Sequence, residues 1–154
     1  MKITSPAFGH EGSIPPQYTC DGENRHVPLD FDAVPAEAKS LVLIAEDIDV
    51  PVEIEPSGIF DHWVVFNIPP KTPGAKEVDA VMPGTYGANS AGQTAYIGPC
   101  PPEGEHRYYF RLYALDTQLA LKKGVKKPEI LEAMEGHVIA KAELMGRYER
   151  QSKS

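Results

Sequence analysis

The chain has 154 residues and a formal net charge of −7, from 15 basic and 22 acidic residues. This length predicts a single domain spanning residues 1–154, with roughly two thirds of the unfolded surface buried in one core. The acidic balance excludes a general nucleic-acid binder, because neutralising phosphates requires a clustered basic surface.

Glycine and proline punctuate the sequence and indicate short strands joined by many turns. The chain contains 13 Gly and 15 Pro, a larger share than average proteins have. Their density in residues 1–38 excludes a long helix there. No segment approaches the roughly 20 apolar residues of a membrane helix, and Met1–Pro6 lacks the apolar stretch of a secretory signal. The sequence therefore predicts a cytoplasmic protein without a membrane span.

Two strands are predicted in the first half of the chain. Ser40–Asp47 is a short apolar run bounded by polar residues, typical of a buried strand, and its alternation places Asp47 at the end of an apolar face. Asp61–Ile68 is the clearest strand pattern in the sequence, and His62 opens it. On strict alternation, one face of this second strand carries His62, Val64, Phe66 and Ile68.

Residues 71–97 form a long, glycine-rich connection, which is uncommon in a compact domain unless it serves a site. The stretch Gly98–Leu115 then passes from a stiff Gly-Pro-Cys-Pro-Pro loop into an alternating strand. His106 heads one face of that strand, which is otherwise largely apolar, so a pocket is expected beside it. The residues on this face are His106, Tyr108, Phe110, Leu112 and Ala114.

The last part of the chain predicts a helix and a strand. Residues 116–127 read as a polar connection whose basic cluster (Lys122, Lys123, Lys126 and Lys127) is predicted to be a solvated loop. Pro128–Glu135 has proline at its first position and glycine after its end, which favours a short helix. Val138–Tyr148 alternates with period two and is predicted as the final strand.

One acid and two imidazoles are expected to meet at one rim of the sheet. Asp47 ends a strand, whereas His62 and His106 begin strands, and antiparallel neighbours bring these ends together. A carboxylate beside the two rings favours their protonated forms, which donate hydrogen bonds to an anion. Tyr108 adds a hydroxyl on the same face. These groups predict a pocket for phosphate or carboxylate.

Other interpretations of these residues stay open. Two histidines and an aspartate could form a facial metal triad for a metal-assisted hydrolase or lyase, although the spacing of His62 and His106 matches no short metal motif. A nucleophilic triad is weaker still, because the sequence contains no Gly-x-Ser-x-Gly elbow. His62 and His106 could also be satisfied core residues. We interpret the other three histidines, His10, His26 and His137, as surface or packing residues.

Four motifs together resemble the phosphatidylethanolamine-binding protein family, and more closely its prokaryotic Raf kinase inhibitor-like branch. They are Asp47–Pro51, Asp61–Pro69, Gly98–Pro102 and His106–Tyr108. The resemblance implies a mainly β fold, an antiparallel β-sandwich with a few short helices and an anion pocket at one end. The pocket residues that it implies are Asp47, His62, Gly98, Pro101, Pro102, His106 and Tyr108.

The resemblance also bears on function. It implies a non-enzymatic binding protein without catalytic residues, metal or cofactor, whose ligand is a phosphate-bearing small molecule or a phosphorylated side chain. It implies a kinase or serine protease as the protein partner, with inhibition as the effect, and it allows a homodimer. Cys20 and Cys100 lie in loops that the family places near the same end, and the sequence leaves open whether they form a disulfide.

Overall fold

The computed structural model describes residues 1–75 and 82–150. Most of the regular structure is β-strand, and a 3-10 turn at Pro16–Tyr18 and a helix, α1 (Lys127–Met134), accompany the strands. In chain order the strands are β1 (Lys2–Thr4), β2 (Gly12–Ser13), β3 (Leu29–Asp32), β4 (Ser40–Asp47), β5 (Phe60–Ile68), β6 (Gly74–Ala75), β7 (Thr85–Tyr86), β8 (Glu105–Leu115) and β9 (Val138–Glu149). Six residues of the predicted connection 71–97, numbers 76–81, lie outside the described residues.

Two sheets pack face to face, which confirms the predicted mainly β sandwich. The small sheet has the strand order β1-β3-β6, and the large sheet has the order β2-β9-β8-β4-β5-β7. Neighbouring strands are antiparallel except β2 and β9, which pair in parallel. The core between the sheets joins Ile3 and Phe31 of the small sheet to Leu43, Phe110 and Leu112 of the large one. Burial of these side chains is the main stabilising contribution to the fold.

A second apolar layer covers the other face of the large sheet. Ile130 and Met134 of α1 pack on Val42 and Ile44 of β4 and on Phe66 of β5. Strand β4 is therefore buried on both faces along its whole length. Double burial explains why its sequence is a continuous apolar run rather than an alternating one.

The predicted β4 has the observed bounds, and α1 lies within one residue of its prediction. In β8 the predicted alternation is also correct, since Tyr108, Phe110, Leu112 and Ala114 all enter the core between the sheets. Strand β9 covers the predicted final strand and extends one residue further.

The predicted face of β5 is wrong for His62 and Ile68. Register pairs Ala45 with Trp63 and Glu46 with Asp61, so β5 carries one extra residue, His62, at this point. A bulge of this kind shifts the alternation of the strand that contains it. This bulge turns His62 toward the rim and away from Val64 and Phe66, which share the face toward α1 as predicted. A second register shift, between the pairs Leu43–Val65 and Leu41–Ile68, places Ile68 with Trp63 and Val65 against the other sheet.

The prediction of a solvated basic loop is also wrong for Lys127, although Lys122, Lys123 and Lys126 are exposed. Lys127 begins α1, and its ammonium lies 2.8 Å from Glu46 Oε2 and 2.7 Å from Asp61 Oδ1. Burial opposes the charge on Lys127, but the two carboxylates outweigh it and raise the pKa of the lysine. Burial raises the pKa of Asp61 as well.

A disulfide joins Cys20 to Cys100, which settles the question that the sequence left open. The Cα atoms are 5.4 Å apart, and the Cys20 N–H donates to the Pro99 carbonyl at 3.1 Å. The neighbouring Gly98 N–H donates to Asn24 Oδ1 at 2.8 Å. The loop that precedes β8 is therefore attached to residues 20–24. In the described part of the chain, no helix is long and apolar enough to span a bilayer.

Candidate functional site

A cavity of about 300 Å³ opens at the rim where β4 ends and where β5 and β8 begin. We call it the histidine cavity, since both candidate histidines line it. Its lining residues are Asp47, Val50, Ile54, Phe60, His62, Ile97, Gly98, Cys100, Pro102 and His106. The three chain segments that antiparallel pairing was expected to bring together therefore share one hollow.

Asp47 fixes the His106 ring. The Nδ1 atom of His106 lies 2.6 Å from Asp47 Oδ2, and each side chain is only 5% exposed. The other carboxylate oxygen, Oδ1, accepts the Asp49 N–H at 2.8 Å. Because a carboxylate only accepts, Nδ1 of His106 carries the proton, and its Nε2 atom is the nitrogen left for a ligand.

The backbone fixes the His62 ring in the same sense. Its Nδ1 atom donates to the Ile97 carbonyl at 2.7 Å, so here too Nε2 is the remaining nitrogen. Burial lowers the pKa of His62 below the ordinary value of 6.5. The prediction that both rings are held protonated is therefore wrong for His62, because desolvation outweighs the attraction of Asp47.

The Nε2 atoms of His62 and His106 make no hydrogen bond within residues 1–75 and 82–150. Two imidazole edges thus remain for a guest in the histidine cavity. His106 can donate from Nε2 when it is charged, with Asp47 balancing that charge. Neutral His62 presents a lone pair, which accepts a hydrogen bond from a protonated ligand oxygen.

Tyr108 lies behind the rings rather than in the cavity lining. It pairs directly with Asp47 across the β4–β8 ladder and is 2% exposed. Its ring meets that of His62 edge-on at 5.4 Å and lies 6.5 Å from that of His106. Burial, with Asp47 nearby, raises the pKa of the Tyr108 hydroxyl. The residue supports the histidines through ring packing, and it stays neutral.

A second aspartate secures the segment that follows Asp47. Asp49 accepts the Arg107 backbone N–H at 2.8 Å and both Nε and Nη2 of the same residue, at 2.9 and 2.8 Å. This forked pairing lowers the pKa of Asp49. The loop after β4 is therefore bound to the start of β8, where His106 lies.

The walls agree only partly with the predicted residues. Gly98 and Pro102 line the cavity, whereas Pro101 is buried outside the lining. The lining residues that sequence reasoning missed are Val50, Ile54, Phe60, Ile97 and Cys100. Ile54 is 64% exposed, so the mouth of the cavity has an apolar rim. An exposed aliphatic residue in a loop carries no sequence signal for such a role.

The metal triad, which the sequence left open as an alternative, is not found among the described residues. Within the described residues no group of three His, Cys, Asp or Glu side chains is arranged to hold a metal ion. The physical reason is that Asp47 Oδ2 is bonded to His106 Nδ1, which leaves two imidazole nitrogens and no third ligand.

Sequence comparison places the chain among related proteins. The family model described as phosphatidylethanolamine-binding protein matches residues 4–149. A UPF0098 protein of Methanothermobacter thermautotrophicus is 50% identical over 155 residues, covering 97% of this chain and 99% of the relative. A UPF0098 protein of Chlamydia trachomatis is 49% identical over 150 residues, with the same coverage.

Solved structures agree with this assignment. The crystal structure of a phosphatidylethanolamine-binding protein homologue from Chlamydia trachomatis has a TM-score of 0.94, is 48% identical and covers 97% of both chains. The Escherichia coli protein YbcL shares the fold, with a TM-score of 0.84, 23% identity and coverage of 97% of this chain and 98% of that one. Matches over nearly the whole length, in sequence and in structure, show that the chain belongs to the phosphatidylethanolamine-binding protein family.

Proposed function

We propose that this chain is a non-enzymatic protein that binds a phosphate-bearing ligand in the histidine cavity. The observation that carries the proposal is the pair of imidazoles whose Nδ1 atoms are occupied, by Asp47 and by the Ile97 carbonyl, so that each presents Nε2 to a guest. Phosphate oxygens can accept from charged His106 and, when protonated, donate to neutral His62.

The lining offers no hydroxyl, amine or free thiol as a nucleophile for covalent chemistry. It contains no serine, threonine or lysine, and the sulfur of Cys100 is bonded to that of Cys20. Asp47 is committed to His106 and Asp49, which leaves it unsuited to act as an independent general base. Binding without transformation is the function that these groups support best.

The apolar rim favours a ligand with a carbon group next to its phosphate. Val50, Ile54, Phe60 and Pro102 surround the mouth, and burying apolar ligand surface there adds about 25 cal/mol per Å². Each charge-assisted hydrogen bond contributes roughly 1.5–3 kcal/mol before ordering costs. A small ligand alone should therefore bind with modest affinity.

A protein partner supplies the contact area and the specificity that the cavity lacks. If the phosphate belongs to a side chain of a kinase or a serine protease, contacts outside the cavity add area and specificity. The family resemblance supports partners of these two classes, and inhibition of the partner is the expected effect. This part of the proposal depends on the cavity binding phosphate in the first place.

Calorimetric titration with phenyl phosphate tests the proposal. Phenyl phosphate should bind more tightly than inorganic phosphate, which lacks the ring, and phenol, which lacks the anion, should bind least. His62→Ala and His106→Ala should each weaken binding about tenfold or more. The matched control His137→Ala changes an exposed ring that pairs with Asp116 and should leave the affinity unchanged. Equal affinity in all three variants would refute the proposal.

A further inference from the structure

Strand β9 has an open edge along part of its length. On one side it pairs with β8 from Val138 to Glu149. On the other side β2 pairs with only Gly146 and Arg147 of this strand. An exposed strand edge is a template for another strand, since its backbone donors and acceptors seek partners.

The direction of the backbone groups in β9 follows from the contacts near β2. The Met145 carbonyl accepts the Glu11 N–H at 2.7 Å, the Met145 N–H donates to His10 Nδ1, and the Arg147 carbonyl accepts the Ile14 N–H. Odd-numbered residues of β9 therefore point their backbone groups away from β8. The same alternation directs the N–H and C=O groups of Lys141 and Glu143 outward.

This open edge is short and has defined ends. The register with β8 shifts between Val138 and Ala140, which makes Ile139 the extra residue of a bulge. At the other end the outward groups of Met145 are already bonded. Between these limits the outward backbone groups of Lys141 and Glu143 have no partner among the described residues, and both side chains are exposed.

We propose that this edge pairs with the same edge of a second copy of the chain, in antiparallel orientation about Ala142. In this register Lys141 lies opposite the partner subunit's Glu143, and Glu143 lies opposite the partner subunit's Lys141. Each such pair exchanges two backbone hydrogen bonds. The four hydrogen bonds use every outward group of the open edge in both copies.

Charge selects this register over its neighbours. In a symmetric antiparallel pair an odd-numbered residue must lie opposite another odd-numbered residue, because side chains alternate between faces. The register can therefore change only by centring the pair on a different residue. Centring the pair on Lys141 would place two lysines face to face, and centring it on Glu143 would place two glutamates face to face and collide with the occupied Met145. Only the register about Ala142 joins opposite charges directly across the strands, the favourable arrangement.

The surroundings of the two side chains fit the proposal. Glu143 forms an ion pair with Arg111 on the β8 side, whereas Lys141, opposite Tyr113, has no acidic partner in the described part of the chain. A partner glutamate would supply that missing counter-charge. The paired sheets would then form one continuous sheet across the two copies, and the histidine cavities, at the rim where β4 ends, would stay open.

Sedimentation equilibrium at low salt tests this pairing by charge exchange. Lys141→Glu and Glu143→Lys should each raise the dimer dissociation constant about tenfold or more, because both cross-strand pairs become repulsive. An equimolar mixture of the two variants restores opposite charges at both pairs. The mixture should therefore form a heterodimer about as tightly as the unaltered chain dimerises.

Controls separate edge pairing from net charge and from folding defects. Lys122→Glu carries the same net charge as Lys141→Glu at an exposed position away from this edge, and it should not weaken the dimer. Lys141→Pro removes an outward N–H without touching the ladder with β8, and it should abolish dimerisation while circular dichroism stays unchanged. The proposal would be overturned if the unaltered chain stayed monomeric at all concentrations, or if the mixture of the two variants failed to associate. It would also be overturned if this edge bound a foreign peptide but not a second copy of the chain.

Discussion

Asp47 bonds a residue that is not its direct neighbour across the strands. In the ladder it lies opposite Tyr108, yet its carboxylate accepts from His106, two residues nearer the start of β8. Diagonal pairs of this kind are within reach on one face of an antiparallel sheet. The Asp49 N–H holds the other carboxylate oxygen, so the carboxylate is fixed from two sides. The orientation of His106 toward the cavity therefore depends on this acid.

Asp47→Asn removes the charge of this residue and keeps its shape, so it tests the role of the charge. An amide has one acceptor oxygen, so either the Asp49 N–H or the His106 Nδ1–H must face an NH₂ group. We expect a loss of about 1–3 kcal/mol in the free energy of unfolding, measured with urea, and about tenfold weaker binding of phenyl phosphate. Asp116→Asn is the control, since its bond to His137 is half exposed. Equal effects at the two positions would contradict the assigned role of Asp47.

His62 should make the protein less stable in mild acid. Its pKa is below 6.5 in the folded state because of burial, whereas the unfolded chain takes up the proton near 6.5. The stability is therefore fully present above the unfolded pKa and falls as pH drops toward the folded pKa, by at most about 1.4 kcal/mol per pH unit. Urea unfolding between about pH 5 and 7.5 measures this slope. The His62→Gln substitution should flatten this pH dependence of stability, whereas His137→Gln should leave it unchanged. An unchanged slope in the His62→Gln variant would count against a buried, neutral imidazole at this position.

The disulfide should matter to the cavity as well as to stability. Cys20 and Cys100 attach the Gly98–Pro102 wall to residues 20–24, and the Ile97 carbonyl that orients His62 directly precedes that wall. Replacing both cysteines by serine should cost about 2–4 kcal/mol in unfolding free energy and weaken phenyl phosphate binding several-fold.

Thiol counting on denatured, unreduced protein checks that the bridge is present. Calorimetry is then run on the double serine variant well below its unfolding temperature, so that any loss of affinity reflects the wall and not unfolding. Full affinity in a folded variant would mean that the cavity wall holds its shape without the bridge.

Lys127 should contribute far more to stability than its neighbour. Lys127→Met leaves the carboxylates of Glu46 and Asp61 close together beneath α1, although Arg111 still pairs with Glu46. Removing one partner of a fully buried ion pair typically costs about 3–5 kcal/mol, and because Lys127 is 15% exposed we expect a loss toward the lower end of this range. Lys126→Met, at an exposed position, should cost less than about 0.5 kcal/mol. Urea unfolding of the two variants compares them, and similar losses would show that the buried network is not a major source of stability.

Sequence periodicity predicted the strands that lie within regular ladders. The bounds of β4 follow from its continuous apolar run and the faces of β8 from its alternation, and the ladder between these two strands pairs every residue of β4 without a register shift. The bulge at His62 was not predictable in this way. Its extra residue is defined by register with another strand, and a single strand carries no mark of that register. Lys127 was misjudged for a similar reason, since its carboxylate partners are distant in sequence.

For the candidate site, the polar residues were easier to predict than the walls. Asp47, His62 and His106 carry chemistry and stand at strand ends, so their convergence could be inferred from antiparallel pairing. Val50, Ile54 and Phe60 are ordinary apolar residues whose place at the cavity mouth depends on loop geometry. The charge state of His62 was also beyond the sequence, because burial and not the nearby carboxylate determines the direction of its pKa.

The most direct test of phosphate binding follows the imidazole nitrogens by heteronuclear NMR during titration with phenyl phosphate. We predict that the Nε2 resonances of His62 and His106 shift together and saturate at one ligand per chain, while both Nδ1 atoms stay protonated and His137 is unchanged. Binding of phenyl phosphate that leaves both Nε2 resonances where they were would place the ligand elsewhere and contradict the account.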